Sequence, residues 1–160
     1  MKDRRVLRGQ TTTVQYDGAL NLIVDDGNFN DAWRVTKFLI SYNYPHDSSA
    51  GSRDCVGVLA THQDALLHPL LPTVIQWNWE DRRQIAWTSQ AWEGDTTVGH
   101  WDRGVIDPQH VIVRDLWIGI TSALATSTTV FNYMVELERV VLNDNQSVMA
   151  LIQETGQGDF

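Results

Sequence analysis

The sequence predicts an all-β domain, a sandwich or barrel of about eight strands, closed by a single short C-terminal helix. Three observations predict it. Alternating and β-branched stretches recur along the chain, turn residues separate them about every 8–12 residues, and no helical period intervenes before the C-terminal end. With 160 residues the chain is long enough to bury one substantial core, and 42% hydrophobic against 20% charged residues excludes wholesale disorder.

The elements follow in order. Gln10 to Tyr16 reads as a Thr/Val strand ended by Asp17-Gly18. Ala19 to Val24 alternates Leu20, Leu22 and Val24 before the turn signal Asp25-Asp26-Gly27-Asn28. Trp33 to Tyr44 reads as a long strand, with Val35 and Leu39 on one face and Phe38, Ile40 and Tyr42 on the other. Residues 45–54 form a Ser/Gly/Pro loop, Cys55 to Thr61 a short apolar strand, and His62 to Pro72 a loop with one helical turn. Strands then follow at Thr73 to Trp79, with Trp77 and Trp79 on one face, and at Gln84 to Trp92. Gly94 to Asp107 is a long loop. Val111 to Thr121 and Thr128 to Leu142 are the clearest strands. In the final segment Asn143-Asp144-Asn145 offers helix caps, Val148, Leu151 and Ile152 fall on one helical face, and Gly156 supplies a stop.

Charge divides the chain unevenly. Lys2, Arg4, Arg5 and Arg8 against Asp3 give the first eight residues a net +3, while the remainder carries −11 from 8 basic and 19 acidic residues. The chain therefore reads as a short basic N-terminal tip over residues 1–9 and one domain over 10–160. An acidic body repels nucleic acid at long range, so the tip holds the nucleic-acid candidates Lys2, Arg4, Arg5 and Arg8. The apolar runs, such as Val140-Val141-Leu142, are too short to span a membrane, and no apolar stretch follows the charged N-terminus as a secretory signal would require. The lone Cys55 forms no internal disulfide, which fits a reducing compartment.

A search for chemistry finds no catalytic constellation, and the chain is read as a non-enzyme. His46, His62, His68, His100 and His110 show neither the HxH nor the HxxxH spacing that places two metal ligands on one strand or helix face. No Gly-x-Ser-x-Gly and no glycine-rich phosphate loop occurs, and Ser48-Ser49 has only His46 nearby as a base. Cys55 opens an apolar strand as a small hydrophobe would. The pairs Asp25-Asp26 and Glu80-Asp81 are consecutive residues, which on a strand point apart. No cofactor or metal is expected. Seven tryptophans remain, and Trp92 and Trp101, flanking the Gly94–Gly99 loop, are the candidates for an exposed interface or ligand site.

The segment Ile106-Asp107-Pro108-Gln109-His110-Val111-Ile112-Val113-Arg114-Asp115-Leu116-Trp117-Ile118 resembles one in capsid proteins of small circular single-stranded DNA viruses. Phe131-Asn132-Tyr133-Met134-Val135-Glu136-Leu137-Glu138, followed after a turn by Ser147-Val148-Met149-Ala150-Leu151-Ile152-Gln153-Glu154, is similar to their last strand and terminal helix. Asp81-Arg82-Arg83-Gln84-Ile85-Ala86-Trp87 is similar to a mid-chain strand entry of the same group. The resemblance covers about a third of the chain, mostly in its second half. It implies a single eight-stranded antiparallel jelly-roll sandwich with a short C-terminal helix, many copies of which assemble into an icosahedral virion shell around the genome. The loops at 45–54, 62–72 and 94–107 would then lie at the ends of the sandwich. The chain departs from the group in lacking its long arginine-rich arm; only Lys2, Arg4, Arg5 and Arg8 are present. Two other readings stand beside it: a lectin-like β-sandwich using Trp92 or Trp101 on carbohydrate, and a jelly-roll enzyme with a metal on scattered histidines.

Overall fold

The computed structural model describes residues 3–12, 20–24, 27–28, 30–43, 53–68, 70–92, 104–122 and 130–156. The turns expected at Asp17-Gly18 and Asp25-Asp26, and the loop residues around His46 and His100, lie outside them.

The described residues are mostly β, in ten strands. They are β1 (Arg4–Thr12), β2 (Leu20–Ile23), β3 (Asp31–Tyr42), β4 (Arg53–Ala60), β5 (Leu67–His68), β6 (Leu71–Ile75), β7 (Gln84–Trp92), β8 (Val105–Ile106), β9 (Asp115–Thr121) and β10 (Val130–Val141). Helix α1 (Asp144–Gly156) follows. One antiparallel sheet has the order β1-β10-β3, a second the order β2-β9-β4-β7-β8, and β5 and β6 pair with each other. The pairing is nested: β1 lies against β10, β2 against β9 and β4 against β7, so early strands meet late ones.

The two large sheets share one core. Trp33, Val35, Phe38, Ile40, Phe131, Val135 and Leu137 from the first sheet meet Leu22, Cys55, Leu59, Ile85, Leu116, Ile118 and Ile120 from the second. Gly57 makes room for this contact, since a Cβ there would sit 3.0 Å from Phe38 Cζ and 3.1 Å from Ile40 Cδ1. Cys55 is buried in this core, and burial pushes its thiol up to about 12, so it packs as a small hydrophobe.

The outer face of the second sheet carries a smaller core. Val58, Ala60 and Trp87 pack with Ala65, Leu66 and Ile75, and Trp117 joins them. Residues Gln63–Leu66 form a 3-10 turn, as the expected single helical turn over 62–72 required, and β5 and β6 complete the cover. Gly119 is the matching clearance on this side, with Ile75 Cδ1 3.0 Å from where a Cβ would be.

Four expectations are corrected. First, the basic segment is not confined to a tip. Residues 4–9 are part of β1, hydrogen-bonded along β10 from Arg4↔Glu138 to Thr12↔Val130, and Leu7 packs on the core. The strand expected over Gln10 to Tyr16 thus begins six residues earlier, because exposed Arg4, Val6 and Arg8 alternate with half-buried Arg5 and Leu7 on the core side. Second, Val35 and Phe38 lie on the same face of β3. A β-bulge between the Glu136 and Leu137 pairs leaves Thr36 unmatched and restarts the alternation, so Trp33, Val35, Phe38, Ile40 and Tyr42 all face the core while Leu39 does not. Third, β6 stops at Ile75, and Trp77 and Trp79 stand in a turn, both exposed. Fourth, β9 begins at Asp115 and not Val111. Ile112 forms an isolated bridge to Trp33 in the first sheet, so the chain changes sheets between Ile112 and Asp115.

The helix is also turned differently from its sequence pattern. Asn143 caps it, as expected, in a reciprocal box: Asn143 Oδ1 accepts from the Gln146 N–H at 2.9 Å, and Gln146 Oε1 accepts from the Asn143 N–H at 3.1 Å. The buried positions are Ser147 and Glu154; of the expected apolar face Val148 and Ile152 are 46% and 57% exposed and Leu151 is half-buried, while Met149 beside them is 59% exposed.

Candidate functional site

The basic candidates separate by strand parity. Arg4 and Arg8 are exposed on β1, while Arg5 is half-buried and turned toward the core side. Its guanidinium lies 5.7 Å from the Trp33 ring and donates to Val24 O at 3.3 Å, which makes Arg5 a packing residue. Lys2 and Trp101 lie outside the described residues. Trp92 ends β7, opposite Arg53.

Among the described side chains the exposed tryptophans are Trp77 at 41% and Trp79 at 69%. The turn bearing them is held from below by Gln84, at the start of β7. Its side-chain amide is buried and uses all four of its hydrogen-bond positions. Nε2 donates to Ala65 O at 2.7 Å and Gln76 O at 2.9 Å, and Oε1 accepts from the Asn78 N–H at 2.9 Å and from Trp87 Nε1 at 2.8 Å. Asn78 closes an Asx turn on the Glu80 N–H at 3.1 Å, and the Asp81 N–H donates to Asn78 O at 3.1 Å. Asp81 and Arg83 form a bidentate pair at 2.9 and 2.7 Å, which holds the Asp81 carboxyl below its ordinary value against the burial that pushes it up. Trp79 meets the edge of Trp87 with ring centroids 6.0 Å apart. The result is a pair of indoles on a rigid turn, with Asn78, Glu80 and Arg82 exposed around them.

A cleft of about 820 Å³ runs along α1, lined by Arg82, Gln109, Leu142, Met149, Gln153 and Glu154 among others. Two buried titratable groups hold its walls together. Glu154 on α1 accepts from the backbone N–H groups of Val113 (2.9 Å), Arg114 (3.1 Å) and Asp115 (2.7 Å), the stretch where the chain changes sheets. Burial pushes its carboxyl up, and the three N–H donors oppose that shift. His110 Nε2 accepts from the Val35 N–H at 2.9 Å on the side of β3 away from β10, while its Nδ1 bonds Asp107 O. Its tautomer is thereby set, with the proton on Nδ1. Burial lowers the His110 pKa, and Asp107 partly offsets this.

That shift has a sign. The unfolded chain binds the proton more tightly, so the contribution of His110 is present above about pH 6.5 and is lost as pH falls from there toward the lower native value. Protonation also places a second N–H against that of Val35. The melting temperature is expected to fall between pH 7.5 and 5, and His110→Gln to flatten that slope. Equal slopes in thermal melts of the two proteins would contradict this role.

Among the described residues no group of three or more His, Cys, Asp or Glu side chains is placed to hold a metal ion. His62 Nδ1 accepts from the Asp64 N–H at 3.2 Å as the cap of the 3-10 turn. Nor is any helix among the described residues long and apolar enough to cross a membrane.

Sequence reasoning missed Trp77, Trp79, Gln84 and Glu154. For the two tryptophans a signal existed, since Asn78, a turn former, lies within the expected strand and Asp81 follows just after it. For Gln84 and Glu154 there was none, because a polar residue in a strand or on a helix reads as solvent-facing. No protein-family profile matches the chain, and no curated protein matches it in sequence.

Proposed function

We propose that the chain is a viral capsid subunit that self-assembles into an icosahedral shell enclosing the genome, built on a single eight-stranded jelly roll. A jelly roll is a long antiparallel hairpin rolled up on itself, so its strands pair in nested order. The pairs β1/β10, β2/β9 and β4/β7 support that reading. So does the Trp33–Ile112 bridge, which brings a fourth segment to the β1-β10-β3 sheet. In this reading the eight strands are β1 to β4, β7, the segment from Val105 to Ile112, β9 and β10, with β5 and β6 as an insertion.

The observation that carries assembly is the inverted docking of α1. The helix attaches through Ser147 and Glu154 and leaves Val148, Met149 and Ile152 facing out, next to the exposed Val141 at the end of β10. A helix of a solitary domain buries its apolar stripe; one that turns it outward offers it to another copy. Arg4 and Arg8, exposed on β1, and Lys2 are the candidate contacts to the packaged nucleic acid, few enough that most of the genome charge is balanced by other cations.

The test is assembly itself. The purified protein is expected to elute as a very large particle and to show closed shells of uniform diameter by negative-stain microscopy. Val148→Asp with Ile152→Asp is expected to abolish the particles while changing the melting temperature of the subunit by less than about 4 °C, since both side chains are exposed. A wild-type protein that stays monomeric across salt and concentration would remove the proposal, as would particles unaffected by both substitutions.

A further inference from the structure

We infer that the turn carrying Trp77 and Trp79 is a carbohydrate-binding platform that takes a pyranose ring. The inference does not rest on assembly. Its first support is rigidity. An exposed indole usually carries the entropy of a mobile loop, but here the turn is fixed to the fold by Gln84, whose side chain bonds four groups on four different residues. The Asx turn at Asn78 and the bidentate Asp81–Arg83 pair fix its other side. A weakly binding ligand the size of one sugar ring has few contacts with which to offset ordering, so preorganisation decides whether it binds at all.

The second support is composition. The centre of a protein–protein contact is enriched in tryptophan and arginine but depleted of acidic residues. Along the turn that carries Trp77 and Trp79 the exposed residues include an amide, a carboxylate and a guanidinium, Asn78, Glu80 and Arg82, and the carboxylate is the group such a centre avoids. Sugar recognition pairs these two kinds of group. The axial C–H bonds of a pyranose carry partial positive charge and lie against the electron-rich face of an indole. Its vicinal hydroxyls, each a donor and an acceptor, bond side chains that accept and donate in a plane. Trp79 meets the edge of Trp87 and remains 69% exposed, which leaves ring surface for such a ligand. The exposed stripe of α1 lacks this mixture: Val148, Met149 and Ile152 are aliphatic or thioether side chains.

The experiment follows the indole N–H signals of the 15N-labelled protein while methyl β-galactopyranoside, methyl β-glucopyranoside, N-acetylglucosamine and sialyllactose are added in turn. At least one sugar is expected to shift the Trp77 and Trp79 signals with a dissociation constant on the order of 1 mM, and to leave that of the buried Trp33 in place. Trp79→Ala is expected to weaken that binding by about 10-fold or more, and Trp77→Ala with Trp79→Ala to abolish it. Both residues are exposed, so an unchanged melting temperature establishes that the variants are folded. The inference is overturned if no sugar of the four shifts either signal, or if the double variant still binds. It is also overturned if the double variant loses only particles, which would make the turn a contact between copies; wild-type particles that bind none of the four sugars would leave the assembly proposal standing and this one refuted.

Discussion

Glu154→Ala is expected to lower the melting temperature by roughly 6–12 °C, corresponding to about 3 kcal/mol. The effect is large because of where the carboxylate sits. Between Ile112, which bridges to Trp33 in one sheet, and Asp115, which begins β9 in the other, the backbone has left one ladder and not yet joined the next. The N–H groups of Val113, Arg114 and Asp115 therefore have no strand partner in that gap, and Glu154 supplies one acceptor group for all three. Truncation leaves them unpaired and cuts a main attachment of α1, the other being Ser147 Oγ on Asn30 Oδ1 at 3.2 Å. Glu154→Gln keeps one carbonyl oxygen and should fall between the two. Hydrogen exchange localises the loss: the amides of α1 and of Val113 to Asp115 should exchange faster, with those of β3 and β10 less affected. A melting temperature within about 2 °C of wild type would show that water replaces the carboxylate without penalty.

Gln84→Leu is expected to be of similar size, about 3 kcal/mol, through a different failure. Leucine nearly fills the volume, so no cavity opens. What is lost is pairing: Ala65 O, Gln76 O, the Asn78 N–H and Trp87 Nε1 all lose the partner that Gln84 gives them. Because those groups lie on the 3-10 turn, the end of β6, the tryptophan turn and β7, the substitution uncouples the outer cover of the second sheet from its strands. Circular dichroism melts give the size. Faster exchange confined to residues 61–83 would identify the site, and a uniform loss across both sheets would contradict the role assigned to Gln84.

The parts of the fold legible in the sequence are those that one strand or helix settles within itself. β7 was expected over Gln84 to Trp92 and has those bounds, because Ile85-Ala86-Trp87 and the turn formers before it need no distant information. The N-cap of α1 at Asn143 was legible for the same reason. What failed did so at points where a distant partner overrides the local pattern. A bulge against β10 reversed the alternation of β3 at Thr36. The sheet crossing after Ile112 shortened β9. The buried carboxylate of Glu154 turned α1 so that Val148, Met149 and Ile152 face outward, an orientation that the helical period does not specify. The site was less legible than the fold. Trp92 and Trp101 were chosen because they flank a loop; Trp101 and the side chain of Trp92 lie outside what the structure describes, and the exposed indoles it does describe stand on a turn organised by a buried glutamine.

By itself the sequence determined that this chain is β-rich, with a terminal helix, a charge concentrated at one end and no paired-histidine or nucleophile motif. Period, turn chemistry and charge are properties of neighbouring residues, and neighbouring residues are what a sequence displays. Only the tertiary structure decided which strands meet. Asp3 and Arg139, bonded at 2.7 Å, stand 136 positions apart, and no local pattern encodes that pairing. The same long-range closure decided that Arg5 packs while Arg4 and Arg8 face out, that Gln84 and Glu154 are buried, and that Trp77, Trp79 and the stripe of α1 are exposed. Burial is a property of the whole surface, since each side chain is covered or left open by segments far from it in the chain.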